Sequence, residues 1–265
     1  MQHVTNTKEL FATTQSKTEQ VPLPEIQWHR TKSDPTRAWL RLNEATIPAT
    51  APVRQPVDPD TQSALDLLRS RLLRQMRQSG IRKLALTSPT HGCGTTTLAT
   101  RLALGLASQI DLKVMLFDLN LRRPELSNQF AIAGVTARQS ALTGTRREFD
   151  SSAVRVGHNL ALSLFTQPEP YAAEALGTLR ARALINQLER EFEPDLMLFD
   201  LPPALACDDV VAAADLYDAA LLVTRADHST SDQIDRAERL ISEQKPCLGV
   251  VVNACRFGVA NDRHY

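Results

Sequence analysis

Leu84-Ala85-Leu86-Thr87-Ser88-Pro89-Thr90-His91-Gly92-Cys93-Gly94-Thr95-Thr96-Thr97 runs from an apolar stretch, through a loop of small residues, into the helical pattern that opens at Leu98-Ala99. A strand, a Gly-containing loop and a helix, in that order, form the setting a phosphate cradle requires. Glycines let backbone N–H groups approach an anion, and a helix N-terminus favours negative charge. The hydroxyl of Thr96 stands where the Ser/Thr of the pattern GxxxxGK[ST] ligates Mg²⁺. The first glycine of that pattern is absent, however, and Thr95 occupies the lysine position. Alone, the loop is equally compatible with a turn that binds nothing.

Two more strand ends shift that balance. Val114-Met115-Leu116-Phe117-Asp118 and Leu196-Met197-Leu198-Phe199-Asp200 are apolar runs that each end in a carboxylate. A carboxylate at the end of a buried strand can hold Mg²⁺ beside phosphates, directly or through water. One such run is common; two behind a phosphate-type loop are much harder to obtain by chance.

Around these segments, short apolar runs alternate with amphipathic helical patterns. Leu65, Leu68, Leu72 and Met76 share a helix face, with Asp58 or Asp60 as cap and Gly80 as stop. Strands are predicted at 84–88, 114–118, 160–165, 196–200, 219–223 and 248–253, and helices at 95–108, 172–192 and 231–243. This alternation predicts an α/β fold, a doubly wound and mostly parallel sheet, with ligands at the carboxyl ends of the strands. Residues 1–57, rich in Thr, Gln and Pro, are predicted as a disordered tail, 58–257 as the nucleotide-binding domain, and 258–265 as a short C-terminal tail. Both tryptophans, Trp28 and Trp39, fall in the first tail. The stretch from Pro35 to Leu42 could fold as a short helix on a partner or on the domain itself.

Lys plus Arg equals Asp plus Glu at 30 each, so bulk charge gives no argument for nucleic acid. The four cysteines, Cys93, Cys207, Cys247 and Cys255, have no metal-like spacing and read as reduced thiols. No signal-peptide pattern and no span of roughly 20 apolar residues is present, so a cytoplasmic protein is expected.

With these segments in place, the chain resembles the bacterial tyrosine autokinases of capsule and exopolysaccharide synthesis, in their stand-alone cytoplasmic form, relatives of the MinD and ParA ATPases. Residues 87–97 are similar to that family's TSPxPGEGKSTT. Asp118-Leu119-Asn120-Leu121-Arg122-Arg123-Pro124 is similar to its DxDLRRP, and Asp200-Leu201-Pro202-Pro203 to its DxPP. Residues 248–253 match its late GVVLN strand, whose Asn contacts adenine in related proteins. The resemblance covers roughly residues 60–257. It implies binding of ATP or ADP with Mg²⁺ by Gly92, Cys93, Gly94, Thr95, Thr96, Thr97, Arg122 and Asn253. Thr96, Asp118 and Asp200 would form the metal shell, with the two aspartates in the catalytic role. It also implies a membrane chain-length regulator of polysaccharide export as partner, recruitment to the inner face of the plasma membrane, and homo-oligomer formation.

The departures from that pattern are specific. The lysine is Thr95, and the alternative signature lysine of MinD-type loops would fall at Thr90. The second acidic-motif aspartate is Asn120. The self-assembly segment EAxRxLR appears as residues 63–69 and keeps only Arg69 of its charged residues. The terminal tyrosine cluster is reduced to Tyr265. Lys83 and Lys113 lie at the amino ends of strands, away from the loop. Losing one charge-assisted hydrogen bond costs about 1.5–3 kcal/mol of binding, whereas phosphoryl transfer depends almost wholly on positioning and charge stabilisation. Nucleotide binding is therefore expected to survive better than kinase turnover. The expected function is a nucleotide-binding regulator of exopolysaccharide synthesis with reduced or lost kinase activity. An active autokinase and a MinD/ParA-like positioning ATPase are the alternatives. His91 is expected to face solvent, Cys93 to be a passive small residue, and Tyr171 and Tyr217 to be packing residues.

Overall fold

In the computed structural model, residues 34–132 and 146–255 are described, and they fall within one compact unit. Among them, eight strands form a single sheet in the order β1-β4-β5-β3-β6-β2-β7-β8. These are β1 (Asn43–Glu44), β2 (Lys83–Thr87), β3 (Val114–Asp118), β4 (Ala153–Val156), β5 (Leu160–Ser163), β6 (Leu196–Asp200), β7 (Ala219–Arg225) and β8 (Cys247–Asn253). All neighbours pair in parallel except β4 and β5. The central strands are buried on both faces, which is why they read as unbroken apolar runs rather than alternating ones.

The sheet is covered on both sides. One face carries α2 (Pro59–Ser79), α3 (Thr95–Ala107) and α4 (Leu126–Phe130), packed through Leu72, Met76, Leu98, Leu102 and Phe130. The other carries α1 (Pro35–Arg41), α5 (Arg146–Ser152), α6 (Ala172–Leu176), α7 (Leu179–Phe192), α8 (Asp209–Ala212) and α9 (Ser231–Ser242). Asp58 caps α2 by accepting from the Thr61 N–H at 2.9 Å, with Pro59 in the first turn. Gly80 ends the helix at φ 67°, in the left-handed region that costs glycine nothing. From β2 the chain passes to β3 on one side and later to β7 on the other, so the loop after β2 opens at the reversal of strand order where such sheets bind ligands.

The predicted 172–192 helix is two, because the chain turns at Gly177 and restarts at Thr178, whose hydroxyl accepts from the Ala181 N–H at 3.0 Å. β4 escaped prediction: it is only four residues long and Arg155 lies in its middle. Strand β7 runs two residues past the apolar run, to Arg225, because Thr224 and Arg225 pair with Val252 and Asn253 of β8.

The largest correction concerns the tail. Residues 34–57 are part of the fold. Asp34 caps α1, β1 pairs with β4, and residues 52–54 form a 3-10 turn that places Val53 in the α2/α3 core. Trp39 is 3% exposed, packs edge-on to Phe192 at 5.9 Å and donates its indole N–H to the Phe192 carbonyl at 2.9 Å. A polar, Pro-rich composition hid an amphipathic helix of two turns, too short for periodicity to announce. Of the alternatives for residues 35–42, folding on the domain itself is what occurs, and removal of residues 1–57 would take part of the core with it. Residues 1–33, with Trp28, and 258–265, with Tyr265, lie outside the described residues.

Candidate functional site

Asp118 and Asp200 close their strands side by side, as partners in the β3–β6 register. Neighbouring strands lie about 4.8 Å apart, so the two carboxylates share one space. Both are fully buried. Asp118 accepts from the backbone N–H groups of Glu125 and Leu126, both at 3.0 Å, through Oδ2. Asp200 accepts from Thr96 Oγ1 at 2.7 Å, also through Oδ2. The remaining oxygens, Asp118 Oδ1 and Asp200 Oδ1, are buried and have no hydrogen-bond partner. Burial first, and then the neighbouring Asp200, push Asp118 well above the usual carboxylate range. Burial pushes Asp200 up to about 7, against the lowering effect of the Thr96 hydroxyl. Two adjacent buried carboxylates with orphaned oxygens call for a proton or a cation.

That donor set fits Mg²⁺. Two carboxylates and a hydroxyl converge on one buried space, and among the described residues no group of three His, Cys, Asp or Glu side chains gathers anywhere. Mg²⁺ typically takes one or two carboxylates and completes its octahedron with water and phosphate oxygens. The residues that would hold it are Thr96, Asp118 and Asp200.

The loop from Ser88 to Gly94 follows β2, the neighbour of β6, and leads into Thr96, which bonds Asp200. Gly92 and Gly94 sit at φ 80° and 85°. Gly94 holds a left-handed φ that other residues adopt only under strain, and a Cβ there would push the Asn253 amide, 2.4 Å away, off the loop. Helix α3 starts at Thr95 with no side-chain cap, leaving its first N–H groups to whatever enters the loop. Thr95 is buried, and Thr97 faces outward. Cys93 is buried, with its sulfur 3.5 Å from the Ser229 hydroxyl and 3.9 Å from that of Thr90, and His91 is exposed.

Two of the expected site residues already have protein partners. Arg122 forms three hydrogen bonds of 2.9–3.1 Å with Asp209, whose side chain is fully buried, and so ties the segment after β3 to α8. Asp209 escaped the sequence because an acid at a helix start reads as a routine cap. Asn253 donates its amide to the Cys93 carbonyl at 2.9 Å, which places it on the loop itself. Two further residues reach the loop that the sequence did not single out: Arg225 Nη1 donates to the Gly92 carbonyl and His228 Nε2 to the His91 carbonyl, each at 3.0 Å. Of the tyrosines, Tyr217 is buried and donates to the Val210 carbonyl, as a packing residue would. Tyr171 is 69% exposed, contrary to the packing role expected of it, because it precedes α6 at the surface and not within a helix.

No described helix is long and apolar enough to cross a membrane. No family model matches the chain. Comparison with curated proteins gives clear relatives. Tyrosine-protein kinase YwqD of Bacillus subtilis is 26% identical over 188 residues, covering 70% of this chain and 77% of that protein. Tyrosine-protein kinase Etk of Escherichia coli is 27% identical over 230 residues, covering 86% of this chain but only 29% of that protein. Among solved structures, the kinase domain of E. coli Etk matches with a TM-score of 0.65 at 24% identity, covering 90% of this chain and 87% of that one. The MinD protein of Pyrococcus horikoshii, crystallised with Mg-ADP, matches with a TM-score of 0.53 at 20% identity, covering 64% of this chain and 69% of that one. At those identities the structural likenesses establish the fold: a mostly parallel α/β sheet of the kind used by P-loop ATPases.

Proposed function

We propose that this chain, a homologue of the bacterial tyrosine-protein kinases, binds ATP or ADP with Mg²⁺ and acts as a regulator of exopolysaccharide or capsule synthesis whose phosphoryl transfer is weak or lost. The observation that carries the binding half is the pair of buried carboxylates with two unpartnered oxygens beside a Gly-containing loop at a helix N-terminus. Gly92 to Thr97 would hold the phosphates. Thr96 would orient Asp200, and Asp118 and Asp200 would hold the cation, which when bound screens charge on the phosphates.

The weakness of catalysis rests on Thr95. The lysines among the described residues, Lys83, Lys113 and Lys245, all stand at the amino ends of strands, opposite the loop. Lys83 is paired with Glu189 at 2.9 Å, and Lys113 lies over the Trp39 ring. None reaches the phosphate position. In its cell the protein would work at the inner face of the membrane, recruited by a chain-length regulator of polysaccharide export. An active autokinase is the second reading, favoured by the intact carboxylate pair.

Replacing Thr95 by Lys tests both. An added cation in contact with the phosphates should tighten nucleotide binding by about 1.5–3 kcal/mol, roughly 10- to 150-fold in Kd. ATP hydrolysis should rise by at least as much, and Thr95→Lys with Asn120→Asp should exceed the sum of the two changes. A wild-type protein that already turns over like an intact kinase, with no gain from Thr95→Lys, would defeat the regulatory reading in favour of the second.

A further inference from the structure

Three consecutive carbonyls of the loop, those of His91, Gly92 and Cys93, are each held by a different side chain from the ends of the neighbouring strands β7 and β8 and the turn after β7. His228 Nε2 donates to the first, Arg225 Nη1 to the second and Asn253 Nδ2 to the third, at 3.0, 3.0 and 2.9 Å. No peptide here is cis. Across a trans peptide the carbonyl of one residue and the N–H of the next point in opposite directions. Fixing those three carbonyls from one side therefore turns the N–H groups of Gly92, Cys93 and Gly94 to the other side. Among the described residues, none of those three N–H groups has a protein acceptor. The backbone alternates as an anion nest requires, with left-handed Gly92 and Gly94 on either side of Cys93, whose φ is negative.

The clasp is itself anchored. The Ser229 hydroxyl accepts from the Arg225 N–H at 3.1 Å and touches the Cys93 sulfur. Asp227, at φ 57°, closes the turn that brings His228 back onto the loop. The Thr230–Gln233 capping box then fixes the start of α9. Arg225 also differs from other cations at the carboxyl ends of the strands. Arg122 is neutralised by Asp209 and Arg123 faces Glu125, whereas Arg225 has no carboxylate partner among the described residues.

We infer that Arg225, His228 and Asn253 form an outer clasp that presets a nest of N–H groups for the polyphosphate of a nucleotide, and that Arg225 supplies there the positive charge Thr95 does not. This rests on the nucleotide-binding reading above and identifies how the site binds phosphate without its lysine. All three are positioning residues acting through the loop, with Arg225 adding its field. A guanidinium hydrogen-bonded to a carbonyl polarises that peptide, which strengthens the N–H on its opposite side as a donor.

Calorimetric titration of the full chain with Mg-ADP, Mg-pyrophosphate and adenosine tests the clasp. Arg225→Ala should weaken both phosphate ligands by about tenfold or more, leave adenosine unchanged, and leave the melting temperature within about a degree. Arg225→Lys should recover most of the loss, and Arg225→Gln, which keeps a donor for Gly92 without the charge, should not. Adding Thr95→Lys to Arg225→Ala should gain more than adding it to the wild type, since each cation then serves the same charge. Unchanged Mg-ADP and Mg-pyrophosphate affinity in Arg225→Ala and Arg225→Gln would overturn the clasp while leaving nucleotide binding intact. Equal losses for adenosine and the phosphates, with a lower melting temperature and no recovery in Arg225→Lys, would also overturn it. A wild type that binds neither phosphate ligand would remove the nucleotide reading and the clasp together.

Discussion

Trp39→Ala should destabilise the protein by about 3–5 kcal/mol, the range for truncating a large buried aromatic side chain. The indole is almost fully enclosed, and its loss opens a cavity between α1 and the end of α7. It also removes the N–H that satisfies the Phe192 carbonyl, in the last turn of α7 where no intrahelical donor is available. Trp39→Phe restores most of the area but not that donor, so it should cost about 1–2 kcal/mol. Around the ring, Lys113 lies over the indole face at 5.8 Å, and Arg41 pairs with Glu191, which Arg146 also contacts. The exposed Arg41 pair adds little by itself. Chemical denaturation of wild type and both variants measures the effect. A loss under about 1 kcal/mol in Trp39→Ala would mean that α1 is only loosely attached.

The carboxylate pair should make the protein without Mg²⁺ less stable as pH rises. The folded-state pKa of Asp200 is about 7, above its unfolded value, and that of Asp118 is raised well above the usual carboxylate value. Between about 4 and about 7 the folded protein holds a proton that the unfolded chain releases. Stability is thus fullest below the unfolded pKa and is lost as pH rises through the folded one. Asp118→Asn should reduce this dependence to the part that the burial of Asp200 causes. Its amide oxygen can still accept from Glu125 and Leu126, and its NH₂ can face the unpartnered Asp200 Oδ1. Satisfying one buried oxygen and removing one charge should add at least about 1–3 kcal/mol at pH 8, or several degrees of melting temperature at roughly 2–4 °C per kcal/mol. The same variant should lose the stabilisation that Mg-nucleotide gives the wild type. Melting curves from pH 5 to 8, with and without Mg²⁺, test this. A flat profile in the wild type, or an Asp118→Asn protein less stable than wild type at pH 8, would contradict it.

The parts of this site that the sequence revealed are those where one strand carries its own message. Strands β3 and β6 have the predicted bounds because each is an apolar run buried on both faces and ended by a carboxylate. Helix α3 begins where the loop glycines end. The parts it concealed depend on partners far along the chain. Nothing local to Arg225 or His228 marks them as loop contacts, since they lie more than 130 residues from the carbonyls they hold. Asp209 looks like an ordinary cap until Arg122 is seen beside it. Trp39 stood out for its cost in water, but only the Phe192 carbonyl decides that its partner is the domain itself.

Titration of the full wild-type chain with ADP, in the presence and absence of Mg²⁺, probes the central claim directly. Saturable heat with one nucleotide per chain is the expected result, dependent on Mg²⁺ and absent in Asp200→Asn, together with a rise in melting temperature at saturating ligand. No heat and no thermal shift at millimolar Mg-ADP would contradict the account.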